Sequence, residues 1–255
     1  MNNQQKTSIE IFATNPELSF PDTDFLQDIV FSSPSGHSDV ILMQASYNLS
    51  SFGEGLFSDF AVPPPAHLTQ AVRKRRAEYL ASRVCVRHAL TLMGVNDFIL
   101  ENDTDRSPVW PAGIVGSLSH TDSSVRLLVA PSASGKLLGI DCEHVIEEYT
   151  AKKMQDMIVS AQERKVLQQS RWPYGLALTL AFSLKESLYK ALYPQIRQFM
   201  DFNAAEITTC DEEAGLMVIR LARHYSTDFP AGRLFTGHVQ IQQNQVLSWI
   251  IAPQR

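Results

Sequence analysis

Cysteine is scarce: Cys85, Cys142 and Cys210 are all that 255 residues contain. An odd number at wide spacing makes neither a disulfide framework nor a zinc site. A reducing cytoplasm is the compartment to expect. Long apolar runs are also missing. Val40 to Met43 and Gly175 to Phe182 are strand- or turn-sized, far from the roughly 18–20 residues of a membrane helix. The first residues, Met1 to Lys6, lack the basic-then-apolar pattern of a secretory signal. With 12 glycines and 13 prolines the chain is not collagen-like or low in complexity. Positive charge is not in excess: 22 Lys+Arg stand against 27 Asp+Glu, net −5. That argues against a general nucleic-acid binder and leaves room for a local basic patch. What is present is 44% apolar residues, ample for one large domain or two small ones.

The chain shows no repeat of solenoid length. Residues 1–70 mix short apolar pieces with Asn, Ser, Pro and Gly, and end in Pro63-Pro64-Pro65, a stiff connector. Beyond it, Ala77, Leu80, Ala81, Val84, His88 and Leu92 recur at steps of three and four and predict a helix over 67–93, stopped at Gly94. Short strands are predicted at 114–118, 125–130 and Leu137 to Cys142. Helices are predicted at 150–169 and 175–193, the second ended by Pro194. The tail reads as strands at Leu216–Leu221, Leu234–Gln242 and Val246–Ile251. Strands and helices intermix without regular βα alternation, so the fold class expected is α+β.

Four constellations carry chemistry. In Gly139-Ile140-Asp141-Cys142-Glu143, alternation along a strand puts Asp141 and Glu143 on one face. Such a pair can hold a hard cation; taken alone, the commoner reading is a strand end with one solvated face. In Phe182-Ser183-Leu184-Lys185-Glu186-Ser187-Leu188-Tyr189-Lys190, Glu186 and Lys190 stand four apart on one helical face. Such pairs are usually surface support, but this segment is apolar from Leu176 to Leu192, so its charges call for a partner. A metal ion and a phosphate would suit them. Gly116-Ser117-Leu118-Ser119-His120 resembles a serine nucleophile elbow only superficially, because His120 replaces the second glycine. Its hydroxyl and imidazole can donate to an anion. Finally, Arg73, Lys74, Arg75, Arg76, Arg83 and Arg87 crowd fifteen residues. Arg76, Arg83 and Arg87 share one helical stripe, tolerable if an anion sits between them. Together these residues suit Mg²⁺-dependent handling of a diphosphate.

The first two motifs, in this order and spacing, resemble the paired signature of the 4′-phosphopantetheinyl transferases. Lys74 to Arg83, Arg106-Ser107-Pro108-Val109-Trp110-Pro111 and Gly116 to Thr121 look like its enterobactin-synthetase-component-D (Sfp-type) branch. The resemblance covers about residues 70–205. Cys142 stands where the family usually has an aliphatic residue, and Ser82 where glycine is expected. The resemblance implies a monomer of two similar α+β halves with pseudo-twofold symmetry, here 1–137 and 138–255, with coenzyme A and Mg²⁺ in the cleft between them. It implies transfer of the phosphopantetheine arm to a serine of an apo carrier protein, releasing 3′,5′-ADP. The carrier would be a peptidyl or aryl carrier of siderophore or other nonribosomal peptide synthesis. By the same resemblance Asp141, Glu143 and Glu186 match the metal-binding acids, and Lys190 the lysine near the diphosphate. Ser119 and His120 match the contacts to coenzyme A phosphates, and Arg76, Arg83 and Arg106 the basic positions at its nucleotide end. Glu163 matches a further acid near the site. Asp141, Glu186 and Lys190 are the expected catalytic residues, with Glu186 the first candidate for the base that takes the serine proton. A Mg²⁺-dependent diphosphate hydrolase or a non-catalytic coenzyme A-binding module would use the same inventory. The complete set of acids favours an enzyme over the module.

Overall fold

The computed structural model describes residues 9–11 and 23–255, with no side-chain detail for 9–11 or His67. The fold is α+β and divides into two compact units at Ser134–Gly135.

The first unit is built on a five-stranded antiparallel sheet. Its strands are β1 (Ile9–Ile11), β2 (Leu26–Pro34), β3 (Ile41–Tyr47), β6 (Ile114–His120) and β7 (Ser124–Pro131), in the order β1-β2-β3-β7-β6. A two-stranded hairpin, β4 (Glu101–Asn102) with β5 (Pro108–Val109), and a short helix α1 (Gly55–Asp59) complete it with α2 (Arg73–Thr91). Helix α2 buries Ala77, Leu80, Ala81, Val84 and His88 of the stripe read from the sequence, and Cys85 besides, while Leu92 falls at its C-cap and is half-buried. It packs on β7, β3 and β6. It starts six residues later than the expected 67. Residues 66–68 form a separate 3₁₀ turn, and the Arg76 guanidinium grips the Leu68 and Thr69 carbonyls, at 2.8 and 3.2 Å, holding that segment off the helix axis.

The second unit sets β8 (Lys136–His144), β9 (Ala205–Asp211), β10 (Leu216–Leu221), β11 (Leu234–Gln242) and β12 (Gln245–Pro253) in an antiparallel sheet ordered β8-β12-β11-β10-β9. The helix expected over 150–169 is two, α3 (Glu148–Ile158) and α4 (Ala161–Gln169). The break falls at Ser160, whose side chain caps α4 in a reciprocal box with Glu163. The long helix α5 (Tyr174–Ile196) runs two residues past Pro194. A proline in the last turn forfeits a single interior hydrogen bond, and Arg197 in the left-handed region closes the helix with its N–H on the Tyr193 carbonyl.

Helix α5 lies against β8 and β12. Two glycines set its height. Gly139, Ile250 and Gly237 form one cross-strand row over β8, β12 and β11. A Cβ at Gly139 would stand 1.8 Å from the Ser187 carbonyl oxygen, and one at Gly237 2.1 Å from Leu184 Cδ1. In the next row Ser248 faces the helix, its Oγ 2.8 Å from the hydroxyls of both Ser183 and Ser187. Small residues on both surfaces therefore bring the helix backbone down onto the strands.

Candidate active site

That close approach positions the acidic motif. Asp141 and Glu143 follow Gly139 at steps of two, so both point to the α5 side of β8. Asp141 is 3% exposed. Lys190, two turns from Leu184 on α5, reaches down to it, with Nζ 2.7 Å from Oδ1. The i,i+4 reading is thus incomplete: the partner of Lys190 in direct contact is the strand carboxylate. Glu186, one turn earlier, and Glu143, one step along the strand, are partly buried beside the pair.

The charges do not balance: three carboxylates face one ammonium. Burial raises the Glu143 carboxyl to about 7, and the Asp141 and Glu186 charges add to it against Lys190. Burial, then the Asp141 charge, also lift Glu186 above the usual carboxylate range. Burial works against the Lys190 ammonium, but the Asp141 carboxylate bonded to it and Glu186 raise its pKa above the usual lysine value. Among the described residues no three His, Cys, Asp or Glu side chains stand as a finished metal shell. The donor chemistry nonetheless fits a hard divalent cation: three oxygen-bearing acids, mutually repelling and partly desolvated, supply the ligand type Mg²⁺ takes.

Glu163 has a different setting. It is 1% exposed, and its Oε1 lies 2.7 Å from Lys185 Nζ. It also accepts from the Ile207 and Ser160 amides, at 2.9 and 2.8 Å. Burial depresses the Lys185 pKa, with Glu163 opposing. Lys185 stood inside the quoted motif without a role; a lysine in an apolar helical run was the signal that it needed a buried partner.

In the first unit, Ser119 is buried and His120 half-buried at the end of β6, with Trp110 packed over Gly116. Arg106 is exposed at the tip of the β4–β5 hairpin, in the left-handed region at φ 70°. The α2 arginines do not gather round a common point. Arg83 is 6% exposed, stacked on Tyr79 with its Cζ 4.4 Å from the ring centroid. It donates to the Leu100 carbonyl, Ser82 Oγ and Asn102 Oδ1 at 3.0, 3.0 and 2.9 Å. Arg76 holds Glu54 besides the Leu68 and Thr69 carbonyls. Arg87 and Arg73 reach the carbonyls of Phe60 and Phe52. Each braces backbone carbonyls of a neighbouring segment, and Arg76 also meets the Glu54 carboxylate.

Comparison with known proteins identifies the family. Residues 64–130 match the model of the 4′-phosphopantetheinyl transferase N-terminal domain, and residues 137–240 that of the 4′-phosphopantetheinyl transferase superfamily. The chain belongs to the 4′-phosphopantetheinyl transferase superfamily. It is 39% identical to enterobactin synthase component D of Salmonella typhimurium over 148 residues, 58% of this chain and 61% of that protein. It is 35% identical to the 4′-phosphopantetheinyl transferase Svp of Streptomyces mobaraensis, over 61% of this chain and 63% of Svp. With Npt of Nocardia iowensis the figures are 32%, 58% and 66%. The alignments thus span under two thirds of these relatives' length. No helix among the described residues is long and apolar enough to cross a membrane.

Proposed function

We propose that this chain transfers the 4′-phosphopantetheine arm of coenzyme A to a serine of an apo carrier protein, releasing 3′,5′-ADP. The carrier class is a peptidyl or aryl carrier of siderophore or other nonribosomal peptide synthesis, and the enzyme works as a cytoplasmic monomer. The observation that carries the reading is the acidic face of β8 meeting Glu186 and Lys190 of α5, in a chain of this superfamily. Asp141, Glu143 and Glu186 would hold Mg²⁺, which when bound neutralises diphosphate charge and stabilises the leaving group.

The chain's own residues do the rest by position and charge, since phosphoryl transfer leaves little covalent work to the protein. Lys190, held by Asp141, supplies a fixed positive charge for the diphosphate. Glu186 is the base for the serine hydroxyl. Its raised pKa moves it toward the range in which a carboxylate accepts a proton usefully near neutrality. Ser119 and His120 donate to coenzyme A phosphates, and Arg106 supports its nucleotide end. Arg76 and Arg83 contribute through the N–H groups their neighbours leave over, a guanidinium having five.

The test is intact-mass spectrometry of an apo carrier after incubation with this protein, coenzyme A and Mg²⁺. The expected result is a gain of one phosphopantetheine, abolished by EDTA and by a serine-to-alanine carrier. Metal-dependent loss of coenzyme A with an unmodified carrier would instead mark a diphosphate hydrolase.

A further inference from the structure

We propose that Glu163 and Lys185 form a positioning pair that sets the rotation of α5, and so the aim of Glu186, while neither takes part in the chemistry. The proposal rests on the transferase reading of the same site. Lys185 Nζ has three N–H groups and three acceptors: Glu163 Oε1 at 2.7 Å, the Ile158 carbonyl at 2.9 Å and the Phe202 carbonyl at 2.7 Å. Glu163 Oε1 also accepts from the Ile207 amide, and Oε2 from the Ser160 amide. The pair therefore ties together the end of α3, the cap of α4, α5, the turn at 202–204 and the start of β9.

A general base must come within hydrogen-bond reach of the proton it takes. The Glu163 side chain is 2% exposed and both its oxygens are occupied, so it has no access to a substrate hydroxyl. Stability alone does not explain the pair either, because apolar replacement of a buried ion pair is often neutral or stabilising. What a charged pair adds is direction. Three acceptors from three different segments hold one ammonium, which fixes how α5 is turned about its axis. Glu186 is the next residue, about 100° round the same helix, and inherits that setting. A rotation of α5 would carry it away from Asp141 and Glu143.

The test compares the full-length wild type with Glu163→Met/Lys185→Met, each with and without Glu186→Gln. Calorimetric titration with Mn²⁺ in the presence of coenzyme A is one readout, steady-state transfer the other. The double methionine variant is expected to stay folded by circular dichroism. It should lose about 10- to 100-fold in Mn²⁺ affinity and in kcat, the scale of lost second-layer support, with KM for coenzyme A unchanged. In the Glu186→Gln background the same replacement should cost no further Mn²⁺ affinity. Equal losses in both backgrounds, or wild-type affinity and kcat in the double variant, would overturn the proposal. If that variant does not fold, Lys185→Arg decides: it keeps the charge but not the three-acceptor geometry. Weakened Mn²⁺ binding with unchanged KM supports the pair's role, and wild-type binding rejects it. A wild type inactive on every carrier would sink the transferase reading, while the Mn²⁺ titrations would still report on the pair.

Discussion

Helix α5 carries two lysines five residues apart, and each stands 2.7 Å from a carboxylate. Their surroundings differ. Lys185 and Glu163 have side chains 4% and 2% exposed with every Lys185 donor engaged, and the further carboxylates that act on Lys185, Glu206 and Asp201, weigh less than Glu163. Lys190 and Asp141 are 27% and 4% exposed, and two more carboxylates crowd the same place. Burial wins at Lys185 and lowers its pKa, whereas the surplus of negative charge wins at Lys190 and raises it. A closed pair holds structure. An open one with excess negative charge is a candidate functional site.

The largest expected effect comes from breaking the open side while sparing the fold. Glu186→Gln is isosteric and removes the carboxylate to which we assign both cation binding and the role of base. Carrier modification should fall by about 10²- to 10⁴-fold, with the thermal midpoint close to wild type. Near-normal turnover by mass spectrometry would remove Glu186 from both roles.

Next in size is the contrast between the lysines themselves. Lys185→Met leaves Glu163 charged and buried, a loss of about 3–5 kcal/mol, which Mg²⁺ should not restore. Lys190→Met exposes the Asp141, Glu143 and Glu186 carboxylates to one another. It should also destabilise the metal-free protein, but millimolar Mg²⁺ should recover much of that loss. Thermal melts with EDTA and with Mg²⁺ read both, and an equal Mg²⁺ response in the two variants would erase the distinction between a closed and an open pair.

A smaller effect sharpens the electrostatics. The Glu143 carboxyl is raised from 4.5 to about 7. Between those values the folded protein binds the proton and the unfolded chain does not. This contribution to stability is therefore complete below about pH 4.5 and is lost as the pH rises through about 7. In EDTA, the wild-type midpoint should fall over that window relative to Glu143→Gln, and parallel curves would contradict the crowding of carboxylates. Mg²⁺ should flatten the difference.

The two sides were unequally legible. The alternation Asp141–Glu143 and the helical spacing Glu186–Lys190 place the open site directly, because period two on a strand and 3.6 on a helix are local properties. The α2 core stripe was legible for the same reason. The partner of Lys190 was not, since its contact with Asp141 depends on how low α5 rides over Gly139 and Gly237. Nor was the closed pair, whose members lie 22 positions apart and whose acceptors are backbone carbonyls that no residue type announces. The intramolecular acceptors of the arginine stripe were hidden in the same way, most of them being backbone carbonyls. Strands β2 and β3 hid in a stretch that mixes short apolar pieces with Asn, Ser, Pro and Gly, although Met43 to Tyr47 alternates buried and half-buried positions. The split between α3 and α4 had a signal in Ser160-Ala161-Gln162-Glu163, a capping box, masked by apolar periodicity on either side.

That box gives the smallest perturbation of the closed side. Ser160 accepts from the Glu163 amide at 3.2 Å and donates its own amide to Glu163 Oε2. Ser160→Ala removes the first bond and leaves the second, together with the Lys185 contact. The cost should be that of an ordinary cap, about 1 kcal/mol, read as a modest drop in thermal midpoint. Transfer rate and Mn²⁺ affinity should stay at wild-type values, because Glu163 still meets Lys185 and α5 keeps its rotation. A loss of activity out of proportion to that drop would mean that the cap itself, rather than the ion pair, sets the aim of Glu186, and the role would pass from the two charges to the start of α4.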